Sequence, residues 1–273
     1  MKRIALITLA LVSWTFLFGQ NTVKKDYRPE NFSSINASFI YDIEVFKGRT
    51  HTVKLEIPED LAHDIQVNVS DNTLYLGVSR EWWRTAKHIL GDRQKIKARI
   101  TMPDLEGIQL SNSAFLVTRD GFSPSNFIVK LTGASQAEIT IMTHAANLDI
   151  NGASELEISG LATKTKAYVS GASILRYNQE TDQIELNASG ASTVVMNGSS
   201  TTASLTVSGA SHVKAREFTT EDMDIKCSGA SSAQLHVTKK IGVSASGASS
   251  VHIEGKPEFT RSVSSGASSI NTY

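Results

Sequence analysis

The chain has 273 residues, of which 40% are hydrophobic and only 7% aromatic, so it can bury a sizeable core that contains few large rings. Its 27 basic and 27 acidic residues cancel to a formal net charge of zero. This balance does not indicate a nucleic-acid partner, which calls for a basic excess, and no acidic tail indicates disorder.

The first segment, residues 1–19, is predicted to be a secretory signal peptide. Lys2 and Arg3 give it a positively charged start, and residues 4–18 form an apolar run that is too short for a typical transmembrane helix. Cleavage beside Gly19 would remove both cations and leave a formal charge of about 0 − 2 = −2. We therefore expect an exported protein, located in the periplasm, on the outer-membrane surface or outside the cell. After signal removal we expect no transmembrane span.

Residues 20–110 are predicted to form β-rich N-terminal coils and a cap. Apolar and polar residues alternate along residues 39–48, 51–58, 65–78 and 95–113, which is typical of strands. Asp71 and Asn72 supply a turn between two of them. We expect this part to form the first, irregular coils and to cover one end of the core, because an open solenoid end invites polymerisation.

Residues 80–99, here called the tryptophan segment, interrupt this alternation. The segment contains Trp82, Trp83 and Arg84 among several further lysines and arginines. One interpretation is a contact patch for an acidic glycan or a protein partner, with the two tryptophans as anchors. The other, which we prefer, is an end cap in which one tryptophan covers the core and the charges face solvent.

The decisive feature is a repeat of Gly-Ala-Ser at intervals of 18–20 residues throughout residues 111–273. Strand-like alternation flanks each triplet on both sides, so each repeat reads as strand, turn and strand. One such unit cannot bury its apolar face alone, whereas stacking builds continuous apolar columns. The prediction is an all-β fold, a single-stranded right-handed parallel β-helix with about 19 residues per coil, continuous with the N-terminal part. The structural repeat glycines are Gly133, Gly152, Gly171, Gly190, Gly209, Gly229, Gly247 and Gly266.

Three details follow from the stacking. The serines of the triplets should lie above one another and form a hydrogen-bonded structural ladder. The coil lengths vary only between Ala215 and Ile225 and between Leu235 and Val243, which we interpret as a surface return loop. Glu157 and Arg176 should be neighbours on the outer surface.

No motif predicts a catalytic site, a metal site or a cofactor. The seven histidines form no metal-binding pair, and His212 and His252 fall at outward-facing positions. Cys227, the only cysteine, shares a predicted apolar column with Ile150 and Val169, so we expect a buried and inert thiol.

From residue 30 onwards the sequence resembles the bacterial family of putative auto-transporter adhesins with a head GIN domain. The resemblance rests on residues 32–48, 67–78 and 100–116 together with the Ser-Gly-Ala-Ser and Asn-Gly-Ala-Ser repeats. It implies a right-handed β-helix in a cell-envelope or extracellular setting, and it offers no catalytic residues to transfer.

The sequence is compatible with three classes of function. The first is a non-enzymatic structural or adhesin-like module of the envelope or surface, and the second is a glycan-binding module. The third is a polysaccharide-active enzyme, which would need clustered carboxylates or basic residues, usually on long loops over a groove. The partner is unknown, with a surface glycan or another envelope protein as candidates, and a homo-oligomer is open.

Overall fold

The computed structural model describes residues 22–79 and 95–273. The predicted signal peptide and residues 80–94 of the tryptophan segment lie outside this part. The described residues contain nineteen β-strands in one continuous hydrogen-bonded sheet, one short 3-10 helix and no α-helix. No helix among the described residues is long and apolar enough to cross a bilayer.

The strands of the N-terminal part are β1 (Thr22–Tyr27), β2 (Ser34–Phe39), β3 (Tyr41–Lys47), β4 (Thr52–Pro58), β5 (Ile65–Ser70), β6 (Thr73–Val78), β7 (Ile96–Met102), β8 (Gly107–Asn112) and β9 (Phe115–Thr118), with the 3-10 helix (Glu59–Leu61) between β4 and β5. The repeat part comprises β10 (Asn126–Leu131), β11 (Gln136–Ile150), β12 (Glu155–Val169), β13 (Ile174–Ala188), β14 (Thr193–Val207), β15 (His212–Cys227), β16 (Ser232–Ala245), β17 (Ser250–Glu254), β18 (Glu258–Ser264) and β19 (Ser269–Thr272).

The long strands β11 to β16 are successive coils of a parallel β-solenoid. Each pairs in parallel with the next, and paired residues are mostly 19 positions apart, as Leu156 and Leu175 are. The solenoid has about nine turns. The predicted parallel β-helix with about 19 residues per coil is confirmed.

The core consists of columns of equivalent apolar side chains, as the repeat predicts. The column two residues after the repeat serine is paired from coil to coil, and its members are at most 2% exposed until the last coil. Full burial of one Leu or Ile side chain contributes about 1.5–3 kcal/mol, so the stacking of these columns is the main stabilising interaction. The column runs through Ala137, Leu156, Leu175, Val194, Val213, Ala233 and Val251 and ends at the partly buried Ile270.

The Gly-Ala-Ser triplets form tight corners that stack directly on one another. Their eight glycines have φ between 71° and 83°, the left-handed region that glycine adopts without a steric penalty. In each corner the alanine N–H donates to the glycine carbonyl of the preceding coil, for example Ala191 to Gly171 at 2.8 Å. The degenerate copy at Asn112 has the same geometry, with φ 63° and its carbonyl accepting from Ala134.

The prediction of a surface return loop in the part of each coil whose length varies is wrong. Strands β11 to β16 run through this part without interruption. Where β15 pairs with β16, the register shifts between Ala215 and Thr219 and again between Thr220 and Asp222. A β-bulge absorbs extra residues while pairing continues on both sides, and spacing alone cannot distinguish it from a loop.

The N-terminal part is joined to the repeat coils without a break. β2 and β3 pair in parallel with β8 and β9 respectively on one edge, and with β6 and β7 on the other. β8 and β9 pair in turn with β10 and β11 on their other edges. The core columns therefore continue from β2 to the last repeat.

Antiparallel strands make this end of the solenoid irregular. β5 and β6 form a hairpin whose turn residues, Asp71 and Asn72, have φ of 49° and 57°, the left-handed pair that a two-residue hairpin loop requires. β4 lies between β1 and β7 and is antiparallel to both. Leu55, Ile57 and Leu61 of this region are at most 1% exposed. The predicted irregular, β-rich N-terminal cap is confirmed.

At the opposite end, the last coil places polar side chains in the core columns. Ser262 pairs with Val243, and Ser264 pairs with Ala245. Thr272 likewise pairs with Ile253. These three positions therefore carry hydroxyl groups where the preceding coil carries apolar side chains.

Candidate functional site

The described residues contain no group of three or more His, Cys, Asp or Glu side chains that could hold a metal ion. The two outward histidines have separate neighbours. His212 Nδ1 lies 2.7 Å from Ser232 Oγ, and the His252 ring stacks on Tyr273 with 6.0 Å between ring centroids. Neither arrangement places a carboxylate and a nucleophile together.

The repeat serines are buried inside the corners and point away from any ligand surface. Seven of the eight are at most 2% exposed. Two neighbouring pairs share a hydrogen bond, Ser135 with Ser154 at 3.4 Å and Ser192 with Ser211 at 3.2 Å. The other hydroxyls donate mainly to backbone carbonyls, as Ser173 does to Gly152 O at 3.3 Å. The serines thus stack as predicted, but a continuous hydroxyl-to-hydroxyl ladder is replaced by bonds to the backbone.

Cys227 lies in the core column that the sequence predicts for it. It pairs with Val207 and Ala245 and is 2% exposed. Burial raises the pKa of its thiol to about 11, against a smaller opposing effect of a hydrogen bond with Ser231. Because the thiolate is the reactive form, this position is unsuited to nucleophilic chemistry.

The predicted neighbourhood of Glu157 and Arg176 is confirmed, but the two side chains do not form an ion pair with each other. The two residues are register neighbours on adjacent strands. However, Arg176 Nε binds Glu155 Oε1 at 3.0 Å, whereas Glu157 accepts a hydrogen bond from Asn178 Nδ2 at 3.4 Å. Arginine reaches a carboxylate two residues along the strand as readily as the one directly opposite.

Trp82, Trp83 and Arg84 lie outside the described residues, so their role as a contact patch or a cap stays a prediction. The described end of the tryptophan segment consists of Lys95 and the first residues of β7. There Lys95 Nζ lies 5.6 Å from the centroid of the Phe115 ring, and Arg99 binds Glu44 at 3.2 Å. These two cations are therefore engaged within the chain.

A charged groove of about 570 Å³ follows this strand. Its floor is formed around Glu44, which accepts hydrogen bonds from Arg119 at 2.7 Å and from Arg99 at 3.2 Å. Hydrogen bonds and positive charge lower the pKa of the Glu44 carboxyl, and Arg119 contributes more to this than Arg99. The opposite charges neutralise each other, which is typical of a surface ion-pair network.

A different row of side chains crosses the outer face of the sheet. It contains one outward residue from each of eight adjacent strands, β5, β6, β2, β8, β10, β11, β12 and β13, and each residue is the register partner of the next. We call it the amide–tyrosine row: Asn68, Tyr75, Asn36, Gln109, Lys130, Asp149, Tyr168 and Asn187.

None of these eight side chains makes a hydrogen bond, ion pair or ring contact with another described residue. Neighbouring rows are different in this respect. On the same face, Lys166 binds Glu185 at 3.2 Å and Arg261 binds Asp224 at 3.0 Å. The amide–tyrosine row therefore offers a line of polar groups and rings that is available to a partner.

The tyrosines stand out within the row. Tyr75 is 39% exposed and Tyr168 is 48% exposed, in a chain with few aromatic residues. Beside Tyr75 lies a groove of about 430 Å³, which is lined also by Asn36, Gln109 and Lys130 of the row. The row is not predicted from the sequence, although the alternation along β6 already places Tyr75 outward between the buried Leu74 and Leu76.

The sequence matches the family described as putative auto-transporter adhesin, head GIN domain, over residues 31–179 and 168–257. The chain belongs to this family. The suspected resemblance is thereby confirmed. No protein of curated function matches the sequence.

Several solved structures share the fold. A putative adhesin from Parabacteroides distasonis has a TM-score of 0.66 and 14% identity, with 93% of this chain and 97% of that chain covered. A putative adhesin from Parabacteroides merdae has a TM-score of 0.63 and 14% identity, with 92% and 96% covered. A putative lipid binding protein from Parabacteroides distasonis has a TM-score of 0.63 and 14% identity, with 93% and 97% covered.

Proposed function

We propose that this chain is a non-enzymatic, adhesin-like module that is exported to the cell envelope or surface and attaches there to a partner through the outer face of its solenoid. The observation that carries this proposal is the amide–tyrosine row, an ordered and unpaired set of side chains on a rigid sheet. Membership of the adhesin family supports the same assignment.

An attachment role suits the way in which the row is held. Its residues come from eight strands whose backbones are hydrogen-bonded to one another, so their spacing is fixed before any partner arrives. A preorganised surface loses little conformational entropy on binding. The surface is also long, because seven steps of about 4.8 Å between strands amount to roughly 34 Å.

Two other functions are less well supported. A glycosidase needs two carboxyl groups that face one substrate bond, whereas Glu155 is held by Arg176, and Glu185 is held by Lys166. A lipid-binding role, suggested by one structural neighbour, calls for a continuous apolar surface. The exposed side chains Tyr75 and Tyr168 are instead separated by polar residues of the row.

The proposal is tested by attachment. One set of beads is coated with the folded chain lacking residues 1–19. The control beads are coated with the same chain after unfolding, and their remaining surface is blocked. Both sets are incubated with bacterial and host cell surfaces. Retention of the first beads alone supports an adhesin-like role. Equal retention of both contradicts it. Fractionation of the producing cell then tests whether the protein leaves the cytoplasm.

A further inference from the structure

We infer that the amide–tyrosine row is a binding site for a neutral polysaccharide chain that lies across the strands, with Tyr75 and Tyr168 as its two stacking platforms. This inference rests on the proposed attachment function and names the chemical class of the partner. It is carried by the order of side chains along the row, their lack of partners in the described residues and the spacing of the two rings.

The polar members of the row suit sugar hydroxyl groups. Asn68, Asn36 and Gln109 each present an amide, which both donates and accepts hydrogen bonds. A sugar hydroxyl likewise donates and accepts, so an amide can match it in either direction. Asn68 and Asn36 are the register partners on either side of Tyr75. One ring flanked by two amides can therefore contact the apolar face and the polar edge of the same sugar.

The two tyrosines give the site its length. Five strand-to-strand steps separate Tyr75 from Tyr168, which at about 4.8 Å each is roughly 24 Å. This distance exceeds the size of a single sugar ring, so one small ligand cannot contact both. An extended polymer can, and the groove beside Tyr75 lies along its path.

The charges of the row favour a neutral chain. Lys130 and Asp149 are register partners near the middle of the row, so their opposite charges cancel towards a passing polymer. An anionic polysaccharide would meet Asp149 as well as Lys130. A peptide strand would need the free backbone groups of a sheet edge, whereas seven of the eight strands of the row, all but β5, are paired on both sides.

The test is native electrophoresis of the chain without residues 1–19 through gels that contain a neutral polysaccharide (laminarin, mannan or xylan) or the anionic polysaccharide alginate. We expect at least one neutral polymer to retard the protein. Tyr75→Ala combined with Tyr168→Ala should weaken that retardation by about tenfold or more, since exposed aromatic anchors dominate such interfaces. Both residues are substantially exposed, so circular dichroism should stay unchanged.

The matched control is Met142→Ala combined with Leu161→Ala, which removes two equally exposed apolar side chains outside the row and should leave retardation unchanged. A second variant, Trp82→Ala with Trp83→Ala, tests the tryptophan segment. The inference would be overturned if the Met142/Leu161 variant or the Trp82/Trp83 variant lost binding while the tyrosine variant bound normally. Retardation by alginate alone, or by no polymer, would also overturn it. Cell attachment that persists in the tyrosine variant would reject this site while leaving the proposed function standing.

Discussion

Replacement of Gly190 by alanine tests whether the stacked corners determine stability. A Cβ atom at this position would lie 2.7 Å from the carbonyl oxygen and 3.0 Å from the amide nitrogen of Gly171 in the preceding coil. Both are backbone atoms in a hydrogen-bonded corner, so neither can move away cheaply. The φ of 76° adds a cost of its own, because the left-handed conformation is unfavourable for alanine.

The expected loss combines these two effects. The left-handed conformation costs about 1–2 kcal/mol for a residue with a Cβ atom, and overpacking costs about 1–3 kcal/mol. Together they predict that Gly190→Ala lowers the free energy of unfolding by about 2–5 kcal/mol. Chemical denaturation followed by circular dichroism measures this loss.

Gly121→Ala is the matched control. The nearest atom to a Cβ atom there is Thr140 Cγ2 at 3.8 Å, an ordinary contact, and φ is not in the left-handed region. This variant should change stability by no more than about 0.5 kcal/mol. Equal unfolding midpoints for the two variants would refute the argument that the corner, rather than loss of chain flexibility, requires glycine.

Three further predictions concern other parts of the chain. Cys227 should resist iodoacetamide at pH 8, because its buried thiol has a pKa of about 11 and stays protonated; fast labelling before denaturant is added would contradict this. Gln179→Leu should raise the unfolding midpoint, since Gln179 is 2% exposed and its Oε1 accepts no hydrogen bond from the described residues. The comparison variant Asn178→Leu, which removes hydrogen bonds with Glu157 and Asn197, should not raise it, and a lower midpoint for Gln179→Leu counts against the argument. N-terminal sequencing of protein from the native host should start near Gln20 or Asn21, and recovery of intact Met1 would reject signal cleavage.

The repeat made most of the fold predictable. A Gly-Ala-Ser triplet every 18–20 residues, with alternation on both sides, leaves stacking as the way to bury Leu156 and its equivalents. The burial of Cys227 followed from the same column. These inferences depend only on period and polarity, which a sequence displays directly.

The remaining features depend on geometry that a period does not contain. The bulges beside Ala215 keep the chain in strand where a length change alone suggested a loop. Arg176 forms its ion pair with Glu155 instead of Glu157 because of the reach of its side chain. The amide–tyrosine row joins residues from β6 and β2 that are far apart in sequence and adjacent only after pairing, as Tyr75 and Asn36 are.

The direction of the corner hydrogen bonds has a mechanical consequence. Bonds such as Ala191 N–H to Gly171 O join one coil to the next, so a pull along the solenoid axis loads them directly. Such a load would open coils in succession from an end instead of shearing all of them together. Each released coil of about 19 residues would lengthen the chain by roughly 60 Å at about 3.3 Å per residue. Tension along the axis would therefore be dissipated in repeated small steps while the remaining coils stay folded.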